Sequence, residues 1–270
     1  MKRAYVDTPD GQIHYRIEGS GEPLLLVHNA TISSDEFTDM LPFLGDKCQA
    51  IAVDLPGYGM SDKLLHKYSI EDYARNLISF MDTLDIKKAS FVGIGSGGSI
   101  AVEVAVNHPE RVDKIVISGC PYYTLERREE RIKDPRFFPP PIKEDGSHLM
   151  NRWDYLTAYN RQSKDPRSRP EHWYRNYVNY MLGGEGAEDA HQAVFRYKIE
   201  KRLPLLKQPV LLISGPEDVF YNVLEVVKSL IPRCKTLVIN GGGIGGFLIE
   251  WEQPKEFSQV ILDFMANTEV

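Results

Sequence analysis

Short runs of apolar, β-prone residues alternate with longer stretches of helical periodicity along most of this chain, and this alternation limits the folds open to it. Two strand-like segments flank a turn at Thr8–Gly11, and a nearly all-apolar run covers residues 24–28. Further buried strands are predicted at residues 49–53, 89–94, 114–118, 209–214 and 235–240. Apolar strands separated by helices form a mostly parallel sheet with helices on both faces. The pattern therefore predicts an eight-stranded α/β fold.

One of the intervening helices has a clear start signal. Ser69 is a predicted N-cap, with Asp72 at the third helical position. The residues that follow, up to Leu84, place apolar side chains at helical spacing along one face. We expect this helix to be part of the scaffold.

The alternation of strands and helices stops between residues 121 and 204. This segment contains Pro139–Pro141, several charged runs and no convincing strand. Aromatic side chains are concentrated in it, which suits either a cover over an apolar ligand or the small core of a helical unit. We predict a core of residues 1–120 and 205–270, with a helical lid at 121–204 inserted between two strands of the sheet.

Composition and charge argue against several classes of protein. The formal net charge of −6 gives no reason to expect nucleic acid or an anionic membrane as a partner. Cys48, Cys120 and Cys234 are widely spaced and odd in number, so they indicate neither a disulfide framework nor a metal site. No segment approaches the roughly 18 apolar residues of a membrane span, and no signal peptide is recognisable. We expect a cytoplasmic monomer or homodimer without cofactor or metal.

Five short segments occur in an informative order. They are Leu24–Asn29, Val53–Asp62, Phe91–Gly98, Asn107–Val112 and Glu252–Phe257. Together they resemble the α/β-hydrolase superfamily, specifically its lidded branch of small esterases, C–C bond hydrolases and epoxide or haloalkane hydrolases. The resemblance covers nearly everything outside the lid and implies an α/β-hydrolase fold with a pocket between the core and the lid.

The resemblance places the nucleophile at a residue that cannot attack. The family's turn between strand and helix reads Gly-x-Ser-x-Gly, with small neighbours around a strained serine. Aligned from Gly93, this pattern puts Gly95 at the position of the serine. Ser96 follows it, where the family uses the backbone N–H as an oxyanion donor. Covalent catalysis from residue 95 is therefore not expected.

The rest of the triad is only partly kept. The turn after the strand at 209–214 matches the family's Gly-x-x-Asp, which implies that Asp218 is the retained acid. Spacing from Pro254 places the histidine position at Phe247, or at Gly246 after a slip of one residue. The glycine-rich run before it either relaxes a loop with no histidine to hold or brings backbone close to a ligand.

The resemblance also implies an oxyanion hole made of backbone N–H groups. Ser96 would supply one, and Asn29 or Ala30 the other, although Asn29 stands where the family usually has glycine. His28, beside the hole, is a candidate base, or it orders the turn by hydrogen bonding. Asp218 is the second candidate base if burial raises its pKa. The residues expected around the pocket are Tyr122, Trp153 and Gly246.

The same glycines also fit a dinucleotide fingerprint. Residues 93–98 read Gly-x-Gly-x-x-Gly, but on the fifth core strand instead of the first. The next strand ends at Ser118–Cys120 with no acidic residue to hold a ribose. The elbow interpretation is therefore preferred.

Hypotheses from two classes follow for the function. The first is a non-hydrolytic enzyme of the lyase, isomerase, cyclase or decarboxylase type, which uses the oxyanion hole on a small, largely apolar substrate. The alternative is a catalytically silent protein that binds a small apolar or aromatic molecule. A third hypothesis, an atypical esterase that uses Ser96, requires a base that the sequence does not offer.

Overall fold

An eight-stranded sheet forms the centre of the fold, seen in a computed structural model that describes residues 1–64, 66–158, 169–241 and 249–267. The strand order is β1-β2-β4-β3-β5-β6-β7-β8. The strands are Lys2–Thr8 (β1), Gly11–Glu18 (β2), Pro23–Val27 (β3), Gln49–Val53 (β4), Ala89–Ile94 (β5), Val112–Ser118 (β6), Val210–Ser214 (β7) and Cys234–Val238 (β8). The β1–β2 hairpin is antiparallel, β2 runs antiparallel to β4, and the remaining pairs are parallel. The predicted mostly parallel sheet of eight strands is confirmed.

Helices cover both faces of this sheet. They are Leu41–Gly45 (α1), Ile70–Thr83 (α2), Ser96–Asn107 (α3), Leu125–Lys133 (α4), Ser147–Ala158 (α5), Pro170–Gly183 (α6), Asp189–Arg196 (α7), Leu224–Leu230 (α8), Ile249–Glu252 (α9) and Pro254–Ala266 (α10). Side chains alternate along β3, so Leu25 and Val27 pack into the core under α2 and α3. Leu24 and Leu26 face the opposite core, which α1 and α10 cover. Burial on both faces explains why this strand is almost wholly apolar.

Helix α2 begins where its capping signal predicts. The Ser69 hydroxyl accepts the Asp72 N–H, and the Asp72 carboxylate accepts the Ser69 N–H at 2.9 Å. This capping box satisfies two backbone donors that the first turn leaves free, and such a cap stabilises a helix by about 1 kcal/mol. The scaffold helix at the predicted position is therefore confirmed.

The chain between β6 and β7 contains helices α4 to α7 and no strand in the part that the structure describes. The last of these helices, α7, packs against α2 and α3, and its Val194 and Phe195 belong to the main core. The hydroxyl of Tyr58 accepts the N–H of Ala190 at 2.9 Å, which ties this helix to the loop after β4. The end of the predicted lid is thus built into the core.

Among the described residues, no helix is long and apolar enough to cross a membrane.

Candidate active site

Four neighbouring parallel strands end at one edge of the sheet, which is where open α/β sheets bind ligands. Strands β3, β5, β6 and β7 lie side by side in that order. The loops that follow them carry, in chain order, five of the predicted site residues: His28, Asn29, Gly95, Tyr122 and Asp218. The topology therefore brings the predicted site residues from distant parts of the sequence to one edge.

Gly95 forms the turn from β5 into α3 with φ 51° and ψ −114°. These are backbone angles that glycine adopts without strain and other residues adopt rarely. Its N–H donates to the Ser118 carbonyl at 2.9 Å. Close packing surrounds the turn, since a Cβ on Gly97 would lie 2.0 Å from the Val27 carbonyl oxygen. The sharp elbow with small neighbours that the sequence predicts is present.

The side chain of Asn29 lies at the centre of this edge. Its Oδ1 accepts hydrogen bonds from the N–H of Ala30 at 2.9 Å and from the N–H of Ser96 at 3.1 Å. Because both partners are donors, the amide atom that faces them is the oxygen. Ser96 is the first residue of α3, so the positive end of the helix dipole adds to this attraction. We call the converging N–H groups of Ala30 and Ser96 the oxyanion hole.

The amide of Asn29 also takes up the space in which a side chain at position 95 would begin. A Cβ built on Gly95 would lie 2.3 Å from Asn29 Oδ1 and 2.7 Å from its Cγ. Both distances are far below van der Waals contact. Only glycine at position 95 is compatible with Asn29 in this conformation.

The backbone of Asn29 plays a different role from the one predicted. Its N–H donates to Glu36 Oε2 at 2.8 Å and therefore does not point at the hole. Of the two residues considered for the second donor, Ala30 is the one whose N–H points at the same acceptor as the Ser96 N–H; that these groups stabilise an oxyanion stays a prediction. The prediction that the Asn29 backbone lines the hole is wrong, because Glu36 holds that N–H elsewhere and the Asn29 side chain enters the hole instead.

His28 is bonded through both ring nitrogens. Nδ1 donates to the Asn29 carbonyl at 2.7 Å, and Nε2 accepts the N–H of Leu55 at 3.0 Å. The side chain is fully buried, and burial lowers the pKa of the imidazole, which favours the neutral form. With no ring nitrogen left to take a proton, the geometry fits the ordering of this loop. It gives no support to His28 as a base.

Asp218 lies in the loop after β7, as the Gly-x-x-Asp turn predicts. Its carboxylate accepts the Ser214 hydroxyl and the Phe220 N–H, each at 2.8 Å. Burial raises the pKa of this carboxyl group above its usual value. The two positions considered for its histidine partner, Phe247 and Gly246, lie outside the described residues. Within the described ranges, no group of three His, Cys, Asp or Glu side chains could hold a metal ion.

The two lid aromatics predicted above the site are found in different surroundings. Tyr122 follows β6 and is half-buried against the main core. Trp153 lies on α5, and its ring meets that of Tyr177 on α6 edge-to-face at 5.5 Å. Their placement over Gly95 stays a prediction.

Sequence reasoning missed a pair of buried carboxyl groups behind the hole. Glu36 lies on a short 3₁₀ helix, Ser34–Phe37, and Glu250 lies on α9. Neither side chain is exposed to solvent. Burial raises the pKa of both, that of Glu36 to about 8. The two residues are far apart in sequence and lie in no motif, so no local pattern could have predicted that they meet.

Residues 22–249 match the family model described as alpha/beta hydrolase fold. The chain therefore belongs to the α/β-hydrolase fold family. It is 28% identical to a 2-hydroxy-6-oxononadienedioate/2-hydroxy-6-oxononatrienedioate hydrolase of Paraburkholderia phymatum, over 97% of this chain and 95% of that protein. It is 24% identical to a putative 2-succinyl-6-hydroxy-2,4-cyclohexadiene-1-carboxylate synthase of Bacillus subtilis, over 99% and 100%. Among solved structures, a hydrolase from Pseudomonas aeruginosa PA01 has a TM-score of 0.80 at 18% identity and covers 98% of this chain and 99% of its own.

Proposed function

We propose that this member of the family binds a small, largely apolar molecule and does not hydrolyse it. One observation carries the proposal: the Asn29 amide oxygen accepts both donors of the oxyanion hole, at 2.9 and 3.1 Å, while filling the space above Gly95. A hydrolase needs that space for its nucleophile and those donors for the tetrahedral intermediate. Here one neutral side chain occupies both.

The loss of the nucleophile supports the same proposal. Gly95 has no side chain, and a neutral amide such as that of Asn29 is a poor nucleophile. The position assigned to the base by sequence spacing reads Phe247, or Gly246 after a slip. Without a serine, and without a base to deprotonate it, covalent acyl transfer has no starting point.

Ser96 is poorly placed to act as the nucleophile instead of residue 95. The residue is 2% exposed, and its Oγ lies 3.4 Å from Asn29 Oδ1. Among the described residues, no histidine nitrogen is within hydrogen-bond distance of this hydroxyl group. A shifted nucleophile at Ser96 would therefore be both buried and without a general base.

A non-hydrolytic enzyme is the second candidate, and Asp218 favours it. Burial raises the pKa of this carboxyl group, as is common for acid–base groups in active sites. The relative in Bacillus subtilis is described as a putative synthase, so a non-hydrolytic reaction has a precedent among similar chains. A lyase, isomerase, cyclase or decarboxylase step would still need the oxyanion hole to be free of Asn29.

The test is to incubate the purified protein with a metabolite extract and to identify by mass spectrometry what it retains. A binder returns its ligand unchanged, whereas an enzyme returns a product. In parallel, activated esters and a serine-directed phosphonate are applied to the protein and to its Ser96→Ala variant. We expect no turnover above that of an unrelated protein and no adduct. Stoichiometric labelling that disappears in Ser96→Ala would overturn the proposal.

A further inference from the structure

We infer that Asn29 is an internal occupant of the oxyanion hole, which an anionic oxygen of a ligand must displace before it can bind. Asn29 thereby decides which ligands the site accepts. The inference rests on the proposed function, because it takes the site to be a binding site without a nucleophile.

The first step is the saturation of the donors. Each backbone N–H group carries one proton, and those of Ala30 and Ser96 both point at Asn29 Oδ1. An incoming oxygen can use neither of them until the amide leaves. The amide is tethered beside the hole, so it competes at a high effective concentration. A ligand therefore has to offer a stronger acceptor, and an ionised oxygen is such an acceptor.

The second step is the freedom of this side chain to leave. The Asn29 backbone is fixed, because its N–H donates to Glu36 and its carbonyl accepts the His28 ring N–H. Among the described residues, the Asn29 Nδ2 group donates no hydrogen bond. Rotation of the side chain alone would free both donors, with the loop left in place. The two donors of the oxyanion hole are therefore in position, but the Asn29 amide oxygen occupies them.

The third step links Asn29 to Gly95. Since a Cβ at position 95 would lie 2.3 Å from Asn29 Oδ1, alanine there must expel the amide. Alanine adds no nucleophile. Gly95→Ala and Asn29→Ala are thus two independent ways to empty the same hole, one by displacement and one by removal.

The experiment uses 4-nitrophenolate as the probe, because its ionised form absorbs visible light and carries its charge on one exposed oxygen. Its affinity is measured for the unmodified protein, Asn29→Ala, Gly95→Ala and the double variant. Asn76→Ala is the control, since Asn76 is a buried asparagine on α2 that bonds Thr8 and Asp10 far from the hole. Thermal unfolding confirms that each variant is folded.

We expect Asn29→Ala to bind 4-nitrophenolate about tenfold more tightly than the unmodified protein, since two occupied donors become available. Gly95→Ala should gain a similar factor, the double variant should gain no more than either single variant, and Asn76→Ala should gain nothing. If Gly95→Ala does not fold, Asn29→Ala decides alone. Equal affinity in Asn29→Ala and the unmodified protein would overturn the inference. That failure is distinct from failure of the proposed function, which phosphonate labelling or substrate turnover reports.

Discussion

The carboxyl groups of Glu36 and Glu250 lie against each other in the interior, without solvent exposure on either side chain. Glu36 also holds the backbone N–H of Asn29 at 2.8 Å. Two ionised carboxylates in contact would repel each other, and the protein interior already disfavours charged groups. The raised pKa values favour a pair that keeps a proton, and Glu36 connects this pair to the loop that carries Asn29.

This pair predicts that stability falls as the pH rises. Burial raises the pKa of Glu36 from 4.5 to about 8 in the folded protein. A raised folded pKa contributes stability below about pH 4.5, and that contribution is lost as the pH rises through about 8. Urea unfolding between pH 5 and pH 9 should show the free energy of unfolding decreasing across this window.

Glu250→Gln tests the cause of that decrease. Glutamine stays neutral and still offers a hydrogen bond to Glu36, so the variant should be more stable than the parent at pH 8, by on the order of 2 kcal/mol. Its pH profile should also be flatter. Glu225→Gln is the control, because that side chain is 77% exposed. Parallel pH profiles for Glu250→Gln and the parent would show that the pair does not govern the slope.

Thr31 lies in the loop that carries Asn29, and we expect its replacement by glycine to stabilise the protein. Its φ of 70° lies in the left-handed region, which is costly for a β-branched residue. We expect Thr31→Gly to raise the free energy of unfolding by roughly 1 kcal/mol after allowing for the extra freedom of glycine in the unfolded chain. Thr38→Gly should do the reverse, since Thr38 has an ordinary helical φ of −56°. Destabilisation in both variants would mean that the Thr31 side chain outweighs its strain.

The sequence predicted those parts of the site that depend on local pattern. The elbow at Gly95 could be located because Phe91–Gly98 resembles the strand-to-helix turn of the family. Asp218 could be located because residues 215–218 resemble the family's Gly-x-x-Asp turn. In each case, a short segment carries the whole signal, and the parallel order of the strands then brings the segments to one edge.

The chemistry of the site depends on contacts that no short segment records. The Asn29 amide meets Gly95 and Ser96 across the sheet edge, and only three-dimensional packing shows that its side chain, and not its backbone, enters the hole. The sequence shows that residue 29 is asparagine, but it does not show that the side chain turns towards the N–H groups of Ala30 and Ser96. His28 and Glu36 show the same limit, since each bonds a partner that lies in a different segment or turn.

Arg175 attaches helix α6, in the segment between β6 and β7, to residues of the core. Its guanidinium donates to the Asp35 and Asp39 carboxylates, each at 2.6 Å, and lies 4.7 Å over the Trp251 ring. Arg175→Ala should raise amide hydrogen exchange in α6 without changing exchange in α2, because the two ion pairs and the stacking contact are lost together. Arg127→Ala is the control, as its partner Glu130 is exposed on its own helix. Unchanged exchange in α6 would show that other contacts hold the lid.

Changing three positions to the residues of a hydrolase is the most demanding test of the proposal that this chain does not hydrolyse its ligand. Gly95→Ser alone should stay inactive and lose stability, because its Cβ would collide with the Asn29 amide at 2.3 Å. Asn29→Gly in the same chain removes the collision and frees both donors of the hole. The sequence spacing assigns the missing base to Phe247, so the full set of changes is Asn29→Gly, Gly95→Ser and Phe247→His.

We expect the triple variant to hydrolyse 4-nitrophenyl acetate slowly and to form a phosphonate adduct at position 95, because the sequence pattern assigns Asp218 to the acid that orients the histidine. Each single or double variant should do little, since the members of a triad act as a unit and their effects are not additive. Adding Asp218→Asn to the triple variant should abolish most of the gain, which separates a working triad from a reactive serine. Activity only when Gly246→His replaces Phe247→His would move the base by one residue. If both folded versions are inactive, the hole emptied by Asn29→Gly does not stabilise an oxyanion, and these three changes are not sufficient for hydrolysis.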